Sequence, residues 1–428
     1  MFRGLKEKRN FLFWFFCFGL LLFLSFNKHA KSDRFNYHAV LWADKAGYFV
    51  FLPAASYYHF DARLFPANIA EKTGNGFALD RSSGKVMSKY PIGNAILHSP
   101  FYGLACLIDF WVGNKEALGF TKTQHRFLII SHCFFESLAL LMLLVMLSKH
   151  YTSIRCFLLL FFMLFSSNVF WYFTRDVGLS HSSSFFVFTG LLFLLQKEQK
   201  SGVLWLFGLV FLSALALVLR PINLFALILL LLTYGIDRFS DLLDLLREKF
   251  WILLPLLPLA LFPLLLQCLY YQYAYGSWIS YSYGNEGFPF LFNPQFLSLF
   301  FAFGNGLFPY NTPLLFVALS FPFYWKKHGK KHWPALALFF LTSYIYAAWW
   351  SVGLGCGFGH RGFVEFMPIF LFPFASFFDA LGRKKQWIFS TLFFLHAVFL
   401  LKISYAYDGC WQGNNIWEWA EWWRLVVG

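Results

Sequence analysis

Charge is what this sequence has least of. Acidic and basic residues are 13% of its 428 positions, about half the share usual for a soluble domain. It has no GxxxxGK[ST] loop, so no P-loop nucleotide site is encoded. It has no GxSxG turn, which leaves a Ser–His hydrolase reading of the segment FTRDVGLSHSSSFF without support. Its seven cysteines are odd in number, none stands at CxxC spacing, and most lie in apolar runs. A disulfide framework and a zinc site are therefore not expected. No small-residue cleavage site follows the first apolar run, which is read as a retained span rather than a signal peptide.

What is abundant is apolar surface. Hydrophobic residues are 59% of the chain, and runs such as Phe11–Phe26, Phe127–Leu147 and Val203–Leu219 approach the roughly 20 residues that cross a bilayer core. The net charge of +14 does not point to nucleic acid. The basic residues sit in short loops between apolar runs, where they set topology. The 61 phenylalanines fall mostly within those runs and read as lipid-facing or helix-packing side chains, not as base-stacking platforms.

The sequence predicts an all-α polytopic membrane protein. If the run Ile96–Trp111 lies on the membrane instead of crossing it, the short loops sort into eighteen basic residues inside and five outside (Arg175, Arg220, Arg361, Lys402 and Arg424), as the positive-inside rule asks. This predicts 11 spans near 11–26, 127–148, 156–173, 179–196, 203–219, 221–236, 250–272, 311–325, 333–350, 362–381 and 387–406. The expected organisation is one transmembrane domain over 1–406 and an outer, Trp-rich tail over 407–428. The first outer loop, 27–126, carries two apolar aromatic segments, Ala46–Phe60 and Ile92–Trp111, that read as interfacial helices. A hairpin turn is expected at Ser83-Gly84, and Asp237–Lys249 reads as an amphipathic helix on the inner face.

Polar residues gather at the outer ends of the predicted spans. Asp44 precedes an aromatic segment, where a carboxylate could act as general base on a hydroxyl. An N-cap role is the alternative, and Tyr48 follows one helical turn on. Lys89 and Tyr90 precede Pro91, and Arg220 precedes Pro221. Both cations could meet a phosphate, as against a solvated lysine and a snorkelling arginine. Arg175 and Asp176 form a short turn before His181 and three serines, which are too polar for lipid. The glycine-rich segment GLGCGFGHRGFVEFMP carries His360, Arg361 and Glu365, the last two read as a charge pair lining a cavity, with a purely structural pair as the alternative. Glu286 sits in an aromatic loop that could be a lid or a static interface segment.

At these residues the chain resembles the GT-C superfamily of membrane glycosyltransferases, in its protein O-mannosyltransferase and aminoarabinose transferase branch. Asp44 with Tyr48 resembles the branch's acidic loop motif, with Lys45 in place of the second acid. Lys89-Tyr90-Pro91 resembles its Lys-Pro-Pro element. Asp176 through Ser184 resembles its Asp-containing segment, with His181 where an Asp is more usual. Arg361 through Pro368 resembles its Arg-Tyr element, with Gly362 in place of Tyr. The resemblance implies transfer of a hexosyl or pentosyl group from a polyprenyl-phosphate donor to a glycan, lipid or protein acceptor at the outer face of an inner or plasma membrane. In it, Asp44 is the base and Lys89, Arg220 and Arg361 neutralise the departing phosphate. No cofactor is assigned, and a divalent cation stays an open alternative. A transporter or flippase of lipid-linked sugars is the competing class; membrane lipids are partners in either case, and nucleic acid is not.

Overall fold

The structure, a computed structural model, describes residues 2–30, 39–114, 118–196, 202–235, 239–328, 333–411 and 416–428, with side chains described from residue 8 on and outside 234–242, 320 and 322–328. Basic loop residues used in the charge count, among them Lys197, Lys200, Arg238, Lys330 and Lys331, lie outside the described residues.

Among the described residues the fold is helical apart from one hairpin. Among the described residues five helices are long and apolar enough to cross a membrane: Lys8–His29, Gly93–Val112, Lys122–Leu147, Arg361–Ala380 and Arg383–Ala406. A sixth results if Leu243–Ala260 and Phe262–Tyr275, bent by 42°, count as one. Shorter apolar helices, including Ser153–Phe165, Ser180–Leu195, Val203–Leu219 and Trp333–Ala348, occupy other stretches expected to span.

Two local outcomes differ from the sequence expectation. The stretch 156–173 is not one helix. It breaks at Ser166–Asn168, where the Ser167 hydroxyl bonds back to Met163 O and also accepts from Val169 N at 3.1 Å. A serine that serves the backbone in this way ends one helix and starts the next. The segment Ala46–Phe60 does not lie with its apolar side outward. Its first part folds as two short helices, Asp44–Phe49 and Phe51–Ser56, whose Ala46, Tyr48, Phe49, Val50, Phe51 and Ala54 are buried. The expected segment Ile96–Trp111 is helical: it belongs to the 20-residue helix Gly93–Val112, which exposes Leu104, Leu107, Ile108, Phe110 and Trp111.

The hairpin expectation holds. Strand β1 (Ala78–Asp80) pairs antiparallel with β2 (Lys85–Met87), with Leu79 opposite Val86. Asp80 accepts from the hydroxyls of Ser82 at 2.6 Å and Ser83 at 2.5 Å, and Gly84 supplies the positive φ of 75° that closes the turn. Those hydrogen bonds, Ser82 first, hold the Asp80 carboxyl well below its ordinary range.

The chain packs as two compact units. The first comprises Met1–Leu141, Phe173–Leu224 and Asp237–Asn285; the second comprises Met142–Tyr172, Phe225–Ile236 and Glu286–Gly428. The tail after residue 407 belongs to the second, where Trp422 packs on Phe303 and Phe399.

Candidate active site

In the first unit the chain bends sharply just before the acid. Ala43 adopts φ 48°, a conformation unusual for a residue with a side chain, and its N–H is fastened to Thr73 O at 2.8 Å. Ala43 is also the N-cap of the Asp44–Phe49 helix. Asp44 therefore stands inside the first turn, where backbone N–H groups favour a carboxylate, and it is not the cap. Tyr90 Oη donates to Asp44 Oδ1 at 2.5 Å.

Tyr90 reaches Asp44 because position 47 has no side chain. A Cβ on Gly47 would lie 2.4 Å from the Tyr90 ring and 2.3 Å from Gly76 O. Tyr48, on the same helix, stacks against Tyr90 with centroids 4.3 Å apart. Lys89 Nζ lies 5.4 Å from the Tyr90 centroid and 5.8 Å from that of Tyr283, within cation–π range. Asp44, Tyr48, Lys89 and Tyr90 thus form one cluster.

The next residue extends it. Lys45 is buried, and its Nζ pairs with Asp176 Oδ1 at 3.1 Å. The lysine that departs from the acidic motif neutralises Asp176. Arg175 is half-buried beside Asp176. The turn they share is tied down through Gly178 O, which accepts from Asn94 Nδ2 at 2.8 Å, and Asn94 Oδ1 accepts from Ser183 at 2.5 Å. His181 is fully buried, with its Nε2 2.9 Å from Arg220 Nη1. A guanidinium only donates, so His181 accepts there as the neutral ring. Asn223 donates to Ser184 Oγ at 2.9 Å and to Ala216 O at 2.9 Å, locking the turn that carries Arg220 to the helix that carries His181.

The other four candidates belong to the second unit. Tyr346 Oη donates to Glu365 Oε1 at 3.1 Å, and the Tyr346 ring fills the space at Gly362, where a Cβ would meet it at 2.3 Å. Arg361 Nη1 donates to Cys356 O at 3.4 Å. His360 is buried, with Nε2 3.0 Å from Val352 O. Glu286 is half-buried. The loop it begins is fastened: Phe290 N bonds Ala348 O, Gln295 N bonds Ala347 O at 2.8 Å, and Trp350 N bonds Gly287 O. These ties favour the static reading over a lid.

The glycine segment is fixed as firmly. Asn305 Nδ2 donates to Gly353 O at 3.1 Å and Gly355 O at 2.7 Å, and Trp411 Nε1 donates to Asn305 Oδ1 at 3.0 Å. Tyr407 Oη donates to Gly357 O at 2.6 Å, and Phe358 N to Tyr172 Oη at 3.1 Å. Cys356 and Cys410 form a disulfide. This corrects the sequence expectation of no disulfide, which rested on cysteine count and spacing and could not register two loops meeting 54 residues apart.

One residue escaped the sequence reading. Glu136 lies near the middle of the Lys122–Leu147 helix, is 1% exposed, and its Oε2 has no hydrogen-bond partner among the described residues. Buried His132 lies one turn before it, and His125 two further turns back on the same face. On the neighbouring helix, buried His98 bonds Ser131 at 2.7 Å. An acid inside a spanning-length apolar helix is a functional signal by itself; the surrounding leucines masked it. No group of three or more His, Cys, Asp or Glu among the described residues is arranged to hold a metal ion.

Compared with known proteins, the chain matches no family model, no curated protein and no solved structure.

Proposed function

We propose that this chain is a membrane-embedded glycosyltransferase that moves a sugar from a polyprenyl-phosphate donor to an acceptor hydroxyl, with inversion, at the outer face of the membrane. The observation that carries the reading is the Asp44 environment. Its carboxylate is not a helix cap, it is oriented by the Tyr90 hydroxyl, and the Lys89 ammonium lies 5.4 Å from the centroid of the same ring. In the reaction the acceptor oxygen attacks the anomeric carbon while the bond from that carbon to the phosphate oxygen breaks. Asp44 takes the hydroxyl proton, and the polyprenyl phosphate leaves with the bonding electrons. Lys89 and Arg220 offset the charge that develops on the leaving group. Lys45 holds Asp176 as an ion pair, which leaves the base role to Asp44. The arrangement of 11 spans, with the Asp44 turn outside, is part of the same proposal. Purified full-length protein incubated with polyprenyl-phosphate hexose and pentose donors should transfer label to an acceptor extract, and release of polyprenyl phosphate should track it. No transfer from any donor sinks the reading.

A second reading, a carrier of lipid-linked sugars, is favoured by Glu136. A carrier uses ionisable groups deep within the membrane, and Glu136 is one. Proteoliposomes separate the two: a carrier moves a labelled lipid-linked sugar across the bilayer without cleaving it and slows on Glu136→Gln, whereas a transferase cleaves it.

A further inference from the structure

The aromatic composition changes abruptly over residues 270–283. The stretch holds six of the chain's 21 tyrosines and none of its 61 phenylalanines. Elsewhere the apolar runs are rich in phenylalanine, so rings that carry a hydroxyl mark a different use here. Three of the six are structural. Tyr270 Oη accepts from Ser88 N at 2.6 Å, Tyr273 Oη accepts from Val86 N at 2.8 Å, and Tyr275 Oη donates to Ser88 O at 3.2 Å. Together they fix the backbone that leads to Lys89 and Tyr90.

Tyr281 and Tyr283 are placed differently. Ser282 Oγ, between them, donates to Lys89 O at 2.7 Å and fastens their loop to the lysine. The Tyr283 ring stands edge-on to Tyr90 at 6.4 Å and lies 6.0 Å from Tyr281. Tyr281 is 61% exposed. Three rings, Tyr90, Tyr283 and Tyr281, therefore run in sequence from the Asp44 carboxylate to solvent-accessible surface, with the Lys89 ammonium against the first two. An interface belt would also collect tyrosines. Trp278 and Ile279 in the same loop behave that way, at 60% and 85% exposure, but Tyr283 instead turns back to meet the Tyr90 ring edge-on.

We propose that Tyr281 and Tyr283, with Tyr90, form a platform that seats one saccharide ring beside Asp44. The inference names the substrate class of the site proposed above and rests on that reading. A pyranose or furanose has a C–H face and a hydroxyl rim. The C–H face packs on aromatic rings, and the rim meets phenol hydroxyls and the ammonium. A lipid tail would need only the apolar part of this surface, and a bare phosphate only the lysine.

The test uses full-length protein in nanodiscs. Saturation-transfer NMR is recorded with a panel of methyl hexosides and methyl pentosides, and inorganic phosphate binding is measured separately. At least one methyl glycoside should bind, with saturation strongest at the C–H protons of one ring face. Tyr281→Ala and Tyr283→Ala should each weaken it about tenfold, Tyr281→Phe should retain most of the affinity, and phosphate binding should stay as in the wild type. Tyr281 is exposed, so its variants keep the fold, which near-ultraviolet circular dichroism verifies. Absence of binding across the panel, or wild-type affinity in Tyr281→Ala, overturns the platform. A protein that binds glycosides through Tyr281 yet transfers no sugar overturns the transferase and leaves the platform standing.

Discussion

Two clusters, one in each unit, are held in different ways. In the first unit the Asp44 cluster and its neighbours pair side chain with side chain: Tyr90 with Asp44, Lys45 with Asp176, His181 with Arg220. In the second the 352–360 loop is held through its backbone: Asn305, Tyr407, His360 and Asn168 all bond to its carbonyls. A side chain held by another side chain keeps its charge state as a variable. A side chain that serves a carbonyl is committed to shape. The proposed chemistry falls in the first of these clusters, and each substitution below is chosen to strain that proposal.

The largest effect is expected at Asp44. Asp44→Asn keeps the size of the side chain and its place in the first turn but loses the base. Turnover should fall about 10²–10⁴-fold, while donor binding by the same sample persists. Near-normal sugar transfer would move the chemistry away from the first unit. Next is the disulfide of the second unit. Replacing Cys356 and Cys410 by serine should lower stability by about 2–4 kcal/mol, read as a fall in melting temperature. A loss of turnover larger than the thermal shift explains would give the second unit a chemical role.

The third strain falls on the Lys45–Asp176 pair. Lys45→Gln leaves a poorly exposed carboxylate without its cation and should destabilise the protein by about 1–3 kcal/mol. Adding Asp176→Asn should restore much of that, because both charges are then gone. If the shifts of Lys45→Gln and Asp176→Asn measured singly simply add in the double variant, the pair is not coupled.

How far the sequence foresaw these residues depends on the range of the interaction. The Ser83-Gly84 turn was legible because Asp80, Ser82, Ser83 and Gly84 settle it among themselves. Asp44 stood out because it stands at the head of an apolar, aromatic segment. Its partner was not legible: the Tyr90 contact depends on the space at Gly47, 43 positions away in the chain. The break at Ser166–Asn168 was hidden because serines are tolerated in an apolar helix, and only the hydrogen bonds of Ser167 show that this one serves as a boundary. The Cys356–Cys410 bond joins two loops that nothing local links. Glu136 was legible by rule and was passed over, because a single acid scarcely lowers the hydropathy of a run that long.

The smallest effect tests a site outside both clusters. The Asp80 carboxyl sits below its ordinary value through its hydrogen bonds to Ser82 and Ser83. A depressed value means the charged form stabilises the hairpin. That contribution is present above the ordinary value of 3.8 and is lost as pH falls below it. Protection of the 78–87 amides, taken as the exchange rate relative to the intrinsic rate at each pH, should fall on acidification, and Asp80→Asn should remove that dependence without altering turnover. Protection in the wild type that does not change with pH would contradict the assignment.

The Cys356–Cys410 bond makes one stretch of the chain a closed ring. Inside it lies Arg383-Lys384-Lys385, three exposed residues at the start of the Arg383–Ala406 helix and a ready target for trypsin. A cut there severs the backbone but not the molecule. On a gel run without reductant the nicked protein should migrate as one species, and with dithiothreitol it should fall into two fragments.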